Sequence, residues 1–182
     1  MKKKIFILVL ALTLLATGCG NTDNKTVTIG NTGTPGENST ADKENNGKED
    51  AKLYFEYANV KIMPKYFADS IVEAVNEEYA YYESPSCAYV GLDKCYVYSG
   101  FTIYTYPDED AVDHVLQVVL TDDSVSTPEG IRIGDSAEKV IETYGNDYIE
   151  ADGSYAYVQG TVKLMFIIKD GSVYSIQYGI AE

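Results

Sequence analysis

Aromatic residues divide this chain in two. Residues 20–50 contain none and offer only two large aliphatics, Val27 and Ile29, among Asn, Thr, Gly, Lys and Glu. Such a stretch cannot bury enough apolar area to offset the ~1–2 kcal/mol of backbone entropy that folding removes per residue. It reads as a flexible tether of about thirty residues. Residues 51–182 hold all 17 tyrosines and all but one of the five phenylalanines, at a length suited to one compact domain.

Ahead of the tether, residues 1–18 begin with Lys2, Lys3 and Lys4 and continue through an apolar run, 5–16, with Thr13 as its only polar residue. A run of about a dozen residues is shorter than the ~20 needed to span a bilayer as a helix, so it reads as a signal peptide. It ends at Leu15-Ala16-Thr17-Gly18-Cys19, which resembles the lipobox of bacterial lipoproteins, although Ala16 stands where leucine is commoner. Small residues fit a narrow peptidase pocket, and the Cys19 thiol is the group that accepts diacylglycerol. Two or more acyl chains anchor stably where one does not. The expected location is the extracytoplasmic side of the cell membrane.

Charge narrows the partners. Cleavage after Gly18 removes three lysines and leaves 11 basic residues against 28 acidic ones, a net charge near -17. Phosphate neutralisation needs a basic surface, so nucleic acid is excluded as a partner.

Within 51–182 the clearest phrase is Gly130-Ile131-Arg132-Ile133-Gly134, an alternating strand-like segment, followed by a helix over 135–144. Asp135 is a candidate cap with Glu138 three residues on. Ala137, Val140, Ile141 and Tyr144 fall on one helical face, and Gly145 stops the helix. Strands follow at 155–158, 162–168 and 173–180, the last two joined by a hairpin turn at Asp170-Gly171. The first half has the same order. Asn59-Val60-Lys61-Ile62 is similar to 130–133, and 69–76 to the second helix, with Pro64 in its first turn and Asn76 standing where Gly145 stands. Glu78-Tyr79 then matches Asp147-Tyr148, Ala88-Tyr89-Val90 matches Ala156-Tyr157-Val158, and 101–106 and 115–120 supply further strands. The expected fold is α+β, two tandem strand, helix and antiparallel-sheet repeats over 51–124 and 125–182.

The wording Gly-Ile-x-Ile-Gly-Asp-Ser-x-x-x-Val-x-x-x-Tyr-Gly with a tandem tyrosine-rich sheet resembles the β-lactamase-inhibitor-protein-like fold. That resemblance implies a concave sheet gripping a protein loop and carries over no inhibitory residue. Cys87-Ala88-Tyr89-x-Gly91-Leu92-Asp93-Lys94, with Thr105-Tyr106-Pro107 and Thr127-Pro128-Glu129-Gly130, is similar to uncharacterised lipoproteins of clostridia and related Firmicutes, and implies no activity.

Catalytic groupings are sparse. His114 is the only histidine and has no nucleophile signature beside it, so it reads as a strand-end residue. Cys87 and Cys95, with seven residues between them, do not follow a zinc pattern. They are a candidate disulfide outside the cytoplasm. A turn at 91–94 would instead place Cys95 opposite Val90 and leave the two sulfurs on opposite faces, both free. Asp108, Glu109, Asp110 and Asp113, and Asp122 with Asp123, lack EF-hand spacing and read as acidic turns. No cofactor or metal is expected.

The tyrosines are the strongest bulk signal. In a strand, alternate residues share a face, and Tyr81, Tyr96, Tyr98, Tyr104 and Tyr106 form a candidate binding face of a residue type common in protein interfaces. The leading reading is a non-catalytic, membrane-anchored module that binds a protein or peptide. The alternatives are an envelope hydrolase acting through paired carboxylates in a deep cleft, and a structural surface lipoprotein with no small ligand.

Overall fold

The computed structural model describes residues 53–181 and the two-residue strand Val27–Thr28. The signal peptide, the lipidation site at Cys19 and the rest of the tether lie outside the described residues. In chain order the elements are β1 (Val27–Thr28), β2 (Phe55–Tyr57), β3 (Val60–Ile62), α1 (Ala68–Val75), β4 (Ala80–Pro85), β5 (Leu92–Val97), β6 (Phe101–Pro107) and β7 (Asp113–Leu120). Then come α2 (Ala137–Tyr144), β8 (Ile149–Ala151), β9 (Ser154–Gln159), β10 (Val162–Lys169) and β11 (Ser172–Ile180). The class is α+β. β1 lies within the stretch read as the tether.

Each helix is followed by four strands running as an antiparallel meander, and the final strands of the two meanders, β7 and β11, pair antiparallel at the centre. The result is one sheet in the order β1-β4-β5-β6-β7-β11-β10-β9-β8, with β2 and β3 forming a separate hairpin. The hairpin over Asp170 and Gly171 has both residues at positive φ, 51° and 76°, which matches the twist of the strands it joins.

One face of the sheet carries the core. Phe101, Ile103, Val118, Leu164, Phe166, Ile176 and Tyr178 alternate inward along their strands. Against them pack Phe55 and Ile62 of the small hairpin, Ile71 and Val75 of α1, Val140 of α2 and the loop residues Val125 and Ile131. Phe101 is the hub of an aromatic knot, with ring centroids 4.7 Å from Tyr98, 4.8 Å from Tyr57 and 5.0 Å from Phe55.

The helices are seated on the sheet through their N-terminal ends. Phe67, the N-cap of α1, forms a bridge with His114 at the start of β7, and Ser136, the N-cap of α2, does the same with Ser172 at the start of β11. Lys65 N–H donates to Val115 O and Val115 N–H to Tyr66 O, at 2.7 and 2.8 Å; Gly134 N–H donates to Val173 O and Val173 N–H to Asp135 O, both at 2.8 Å. Ser136, not Asp135, caps α2, its hydroxyl accepting from Lys139 N–H at 3.2 Å. Asp135 instead accepts from Arg132 N–H and from Lys139 Nζ, each at 2.8 Å.

Three local expectations are corrected. Residues 130–133 run between two turns rather than in a strand, the first closed by Gly130 N–H to Thr127 O and the second by Asp135 N–H to Arg132 O. Tyr66 N–H to Met63 O closes a turn before α1. Pro64 stands in that turn, before the Phe67 cap, and not in the helix. Ala88, Tyr89 and Val90 lie in the connection between β4 and β5 instead of in a strand, because Pro85 pairs with Leu92 and the hairpin loop runs over 86–91.

Candidate functional site

Every helix and the small hairpin pack on the core face, and among the described residues no helix or second sheet covers the other one. That open face can be followed strand to strand through the ladder. Tyr82 lies opposite Cys95, which lies opposite Tyr104, which lies opposite Gln117. The adjacent row runs from Ala80 through Val97, Thr102, Val119, Gln177, Met165 and Ala156 to Ile149. Val97, Val119, Met165 and Ala156 are half-buried, as flat apolar neighbours shield one another, while Ile149 is 62% exposed. Gln117 Nε2 donates to Gln177 Oε1 at 2.7 Å, and Gln177 Nε2 donates to Ser175 Oγ at 3.3 Å. Towards solvent the face carries Tyr82, Tyr104, Leu116 and Ile149, each more than a third exposed, beside the polar Ser84, Asp93, Lys163 and Ser175.

Two β-bulges add to this surface. The extra residues, Leu116 in β7 and Tyr174 in β11, are 42% and 63% exposed. A bulge re-aims a side chain out of the ladder. Leu116, Tyr82, Cys95 and Tyr104 line a shallow depression of about 290 Å³, with Ser84 and Asp93 also on its wall. This lies at the lower end of the ~300–1,000 Å³ of small-molecule sites, and it fits an inserted side chain better than an enclosed substrate.

The five tyrosines proposed as one face do not share one. Tyr96 and Tyr98 are buried in the core, where Tyr79 meets them at 5.3 and 5.5 Å. Tyr81 is on the same side, packed on Tyr96 and donating to Glu83. Only Tyr104 and Tyr106 alternate to the other side, and Tyr106 is half-covered by Tyr89 and His114. The phenols of Tyr96 and Tyr98 are pushed above their usual range chiefly by burial. Tyr104 is also raised, by burial first and then by Cys95. The residues that sequence reasoning missed are Tyr82 and Leu116. Alternation with Tyr81 was a usable signal for Tyr82; nothing in the sequence announces the bulge that exposes Leu116.

Cys87 and Cys95 are both free thiols. The turn lies at 86–91, not 91–94, so Cys95 pairs with Tyr82 and not with Val90. Cys95 is three residues inside the strand end and Cys87 is out in the loop. At ~3.4 Å per residue that separation is roughly 10 Å along the hairpin, beyond the ~7 Å that a disulfide can bridge without backbone movement. Cys87 is exposed, while burial pushes the Cys95 thiol up. Thiolate is the reactive form, so maleimide should alkylate Cys87 about tenfold or more faster than Cys95, read by mass spectrometry of peptic fragments. Equal rates would contradict the placement of Cys95 in the ladder.

The acidic segments serve their own turns. Asp108 Oδ1 accepts from the N–H groups of Asp110 and Val112, both at 2.9 Å, while its Oδ2 meets His114 Nε2 at 2.9 Å. His114 Nδ1 faces Lys65 O at 3.1 Å, so both ring nitrogens have oxygen partners. Asp113 pairs with Lys94, and Asp122 accepts from Ser124 N–H at 2.8 Å. Asp108, Asp122 and Asp135 are all held below the usual carboxylate range, by backbone hydrogen bonds, the Ser124 hydroxyl and Lys139 respectively. Among the described residues no group of three or more His, Cys, Asp or Glu converges on a metal position. Nor is any described helix long and apolar enough to cross a membrane.

Comparison of the chain with family models, with curated proteins and with solved structures finds no match.

Proposed function

We propose that this chain is an extracytoplasmic binding module, anchored to the cell membrane by lipid on Cys19, whose open sheet face engages a protein or peptide. The observation that carries this reading is the uncovered sheet face bearing Tyr82, Tyr104 and Leu116, each 37–42% exposed. Exposed large apolar side chains gathered on one surface mark interaction sites, and tyrosine brings rigid contact area with a hydrogen-bonding tip. Binding is favoured over hydrolysis because, among the described residues, the carboxyl groups with a resolved shift, Asp108, Asp122 and Asp135, are all shifted towards the ionised form. A general acid needs the opposite.

The folded part we infer to be two copies of one unit, of the β-lactamase-inhibitor-protein-like kind. Several correspondences support this beyond the shared element order. Lys65 and Gly134 both take positive φ, 71° and 91°, at the same point before each helix. Tyr79 packs edge-on or tilted against Tyr96 and Tyr98 as Tyr148 packs tilted against Tyr155 and Tyr157. If Val115 is matched to Val173 through their like bonds to the turns, then the bulged residues Leu116 and Tyr174 also coincide, and so do Val119 and Gln177. Val119 and Gln177 are paired with each other in the β7/β11 ladder, as a two-fold axis through the sheet centre requires. The units differ in the β2/β3 hairpin, which has no strand counterpart before α2, and in the first hairpin after each helix, where six loop residues in one stand against Asp152-Gly153 in the other.

The anchor predicts a large change in location. Cys19→Ser removes the acyl acceptor, so the protein should move from the membrane fraction to the medium or the periplasm and lose metabolic labelling by fatty acid. Unchanged membrane retention and labelling would contradict the assignment.

The face is tested by capture from detergent-solubilised envelope of the source organism, using the mature chain and its Tyr82→Ser/Tyr104→Ser/Leu116→Ser variant. A partner held by the first and lost by the second, both folded by circular dichroism, is the expected result. Equal retention by both would overturn the assignment of this face.

A further inference from the structure

The outer edge of β4 has one strand on it, and that strand comes from outside the domain. Val27 lies opposite Tyr81 and Thr28 opposite Ala80, antiparallel, at one end of the nine-stranded order. A sheet edge presents unpaired N–H and C=O groups and is a template for another strand unless it is short, charged or covered. The opposite edge, β8, is short, with three residues. β4 has six residues and no lysine, and its blunting residues, Glu83 and Pro85, stand towards the far end from the Ala80–Tyr81 pair. The docked segment is also unusual for its surroundings. Thr26-Val27-Thr28-Ile29 is the one run of four β-branched residues in 20–50, the side-chain type that favours strands.

We propose that the outer edge of β4 is a strand-acceptor site whose resident ligand is this chain's own segment at Val27–Thr28. This goes beyond the open-face reading, since it concerns backbone pairing at the sheet edge and needs no partner. A two-residue ladder held against the entropy of closing the loop 29–52 is a releasable contact. While it is formed the edge is capped and the tether is shortened. If Cys19 is acylated, as proposed above, the eight steps from Cys19 to Val27 hold the β4 edge within about 28 Å of the lipid at ~3.5 Å per residue. Release hands the domain the whole tether and uncovers the outer backbone edge of β4 at Ala80 and Tyr81.

The test is hydrogen exchange, followed by mass spectrometry, on the full mature chain in detergent. The comparison is between wild type and Val27→Pro/Thr28→Pro. Proline removes both backbone donors of β1, and circular dichroism checks that the domain stays folded. The amides of 80–81 that face β1 rather than β5 should exchange about tenfold faster in the variant, with β6 and β10 unchanged, and a free peptide of residues 25–30 should slow them again. A variant that dimerises through β4 supports the acceptor edge equally. Unchanged exchange of those amides in a monomeric variant would overturn the proposal, and would leave the open-face reading standing because no envelope partner is present.

Discussion

Phe101→Ala should cost about 3–5 kcal/mol of stability, the range for deleting a buried aromatic ring. Phe101 is fully buried and its ring is shared by Phe55, Tyr57 and Tyr98, which belong to the small hairpin and to the turn after β5. The resulting cavity cannot collapse from one side, because the neighbours are fixed by separate elements. Against a typical total of about 5–15 kcal/mol for a domain, the variant should be marginal, with its urea midpoint falling steeply and its m-value unchanged. Tyr104→Ala on the opposite face should cost under about 1 kcal/mol, as exposed substitutions do. Equal losses from the two would mean that both faces of the sheet are packed.

Alkali should unfold the domain cooperatively. Burial pushes the phenols of Tyr96, Tyr98, Tyr144 and Tyr178 above the usual range, and that of Tyr157 up to about 12. In the unfolded chain a tyrosine ionises near ~10. A group whose folded pKa is raised adds stability that is complete below the unfolded value and disappears as pH climbs through the folded one. Stability should therefore be level up to about pH 10 and fall from there, with several groups acting together. Absorbance at 295 nm should show the exposed tyrosines titrating first and the buried ones only with loss of the near-ultraviolet circular dichroism signal. If all 17 ionised in one step near pH 10 with that signal intact, the tyrosine core would be wrongly placed.

Much of this fold was legible. The helix with Val140 and Tyr144 on one side, the Asp170-Gly171 hairpin and the long apolar strands β6, β7, β10 and β11 follow from period and turn chemistry. The failures cluster where local pattern and tertiary position disagree. Residues 130–133 alternate like a strand, yet Ile131 is buried between two turns and Arg132 O is committed to Asp135 N–H. Ala88-Tyr89-Val90 has strand-like wording, but Pro85 closes the pairing before it. The candidate face was half legible. Alternation separates Tyr81 from Tyr82 with certainty, but which one faces the helices depends on the side of the sheet on which α1 and α2 settle, and that is a tertiary fact. The edge strand at Val27 was visible only as two aliphatics in a polar tether, because a two-residue ladder leaves almost no periodicity to read.

Site-directed photo-crosslinking in the intact cell tests the open face as a binding surface most directly. A benzoylphenylalanine introduced in place of Tyr104 should give an ultraviolet-dependent adduct with one envelope protein, and the same group in place of Glu142, exposed on α2, should give none. Adducts from Glu142 with none from Tyr104 would show that the partner sits on the helical side, and the open sheet face would lose its role.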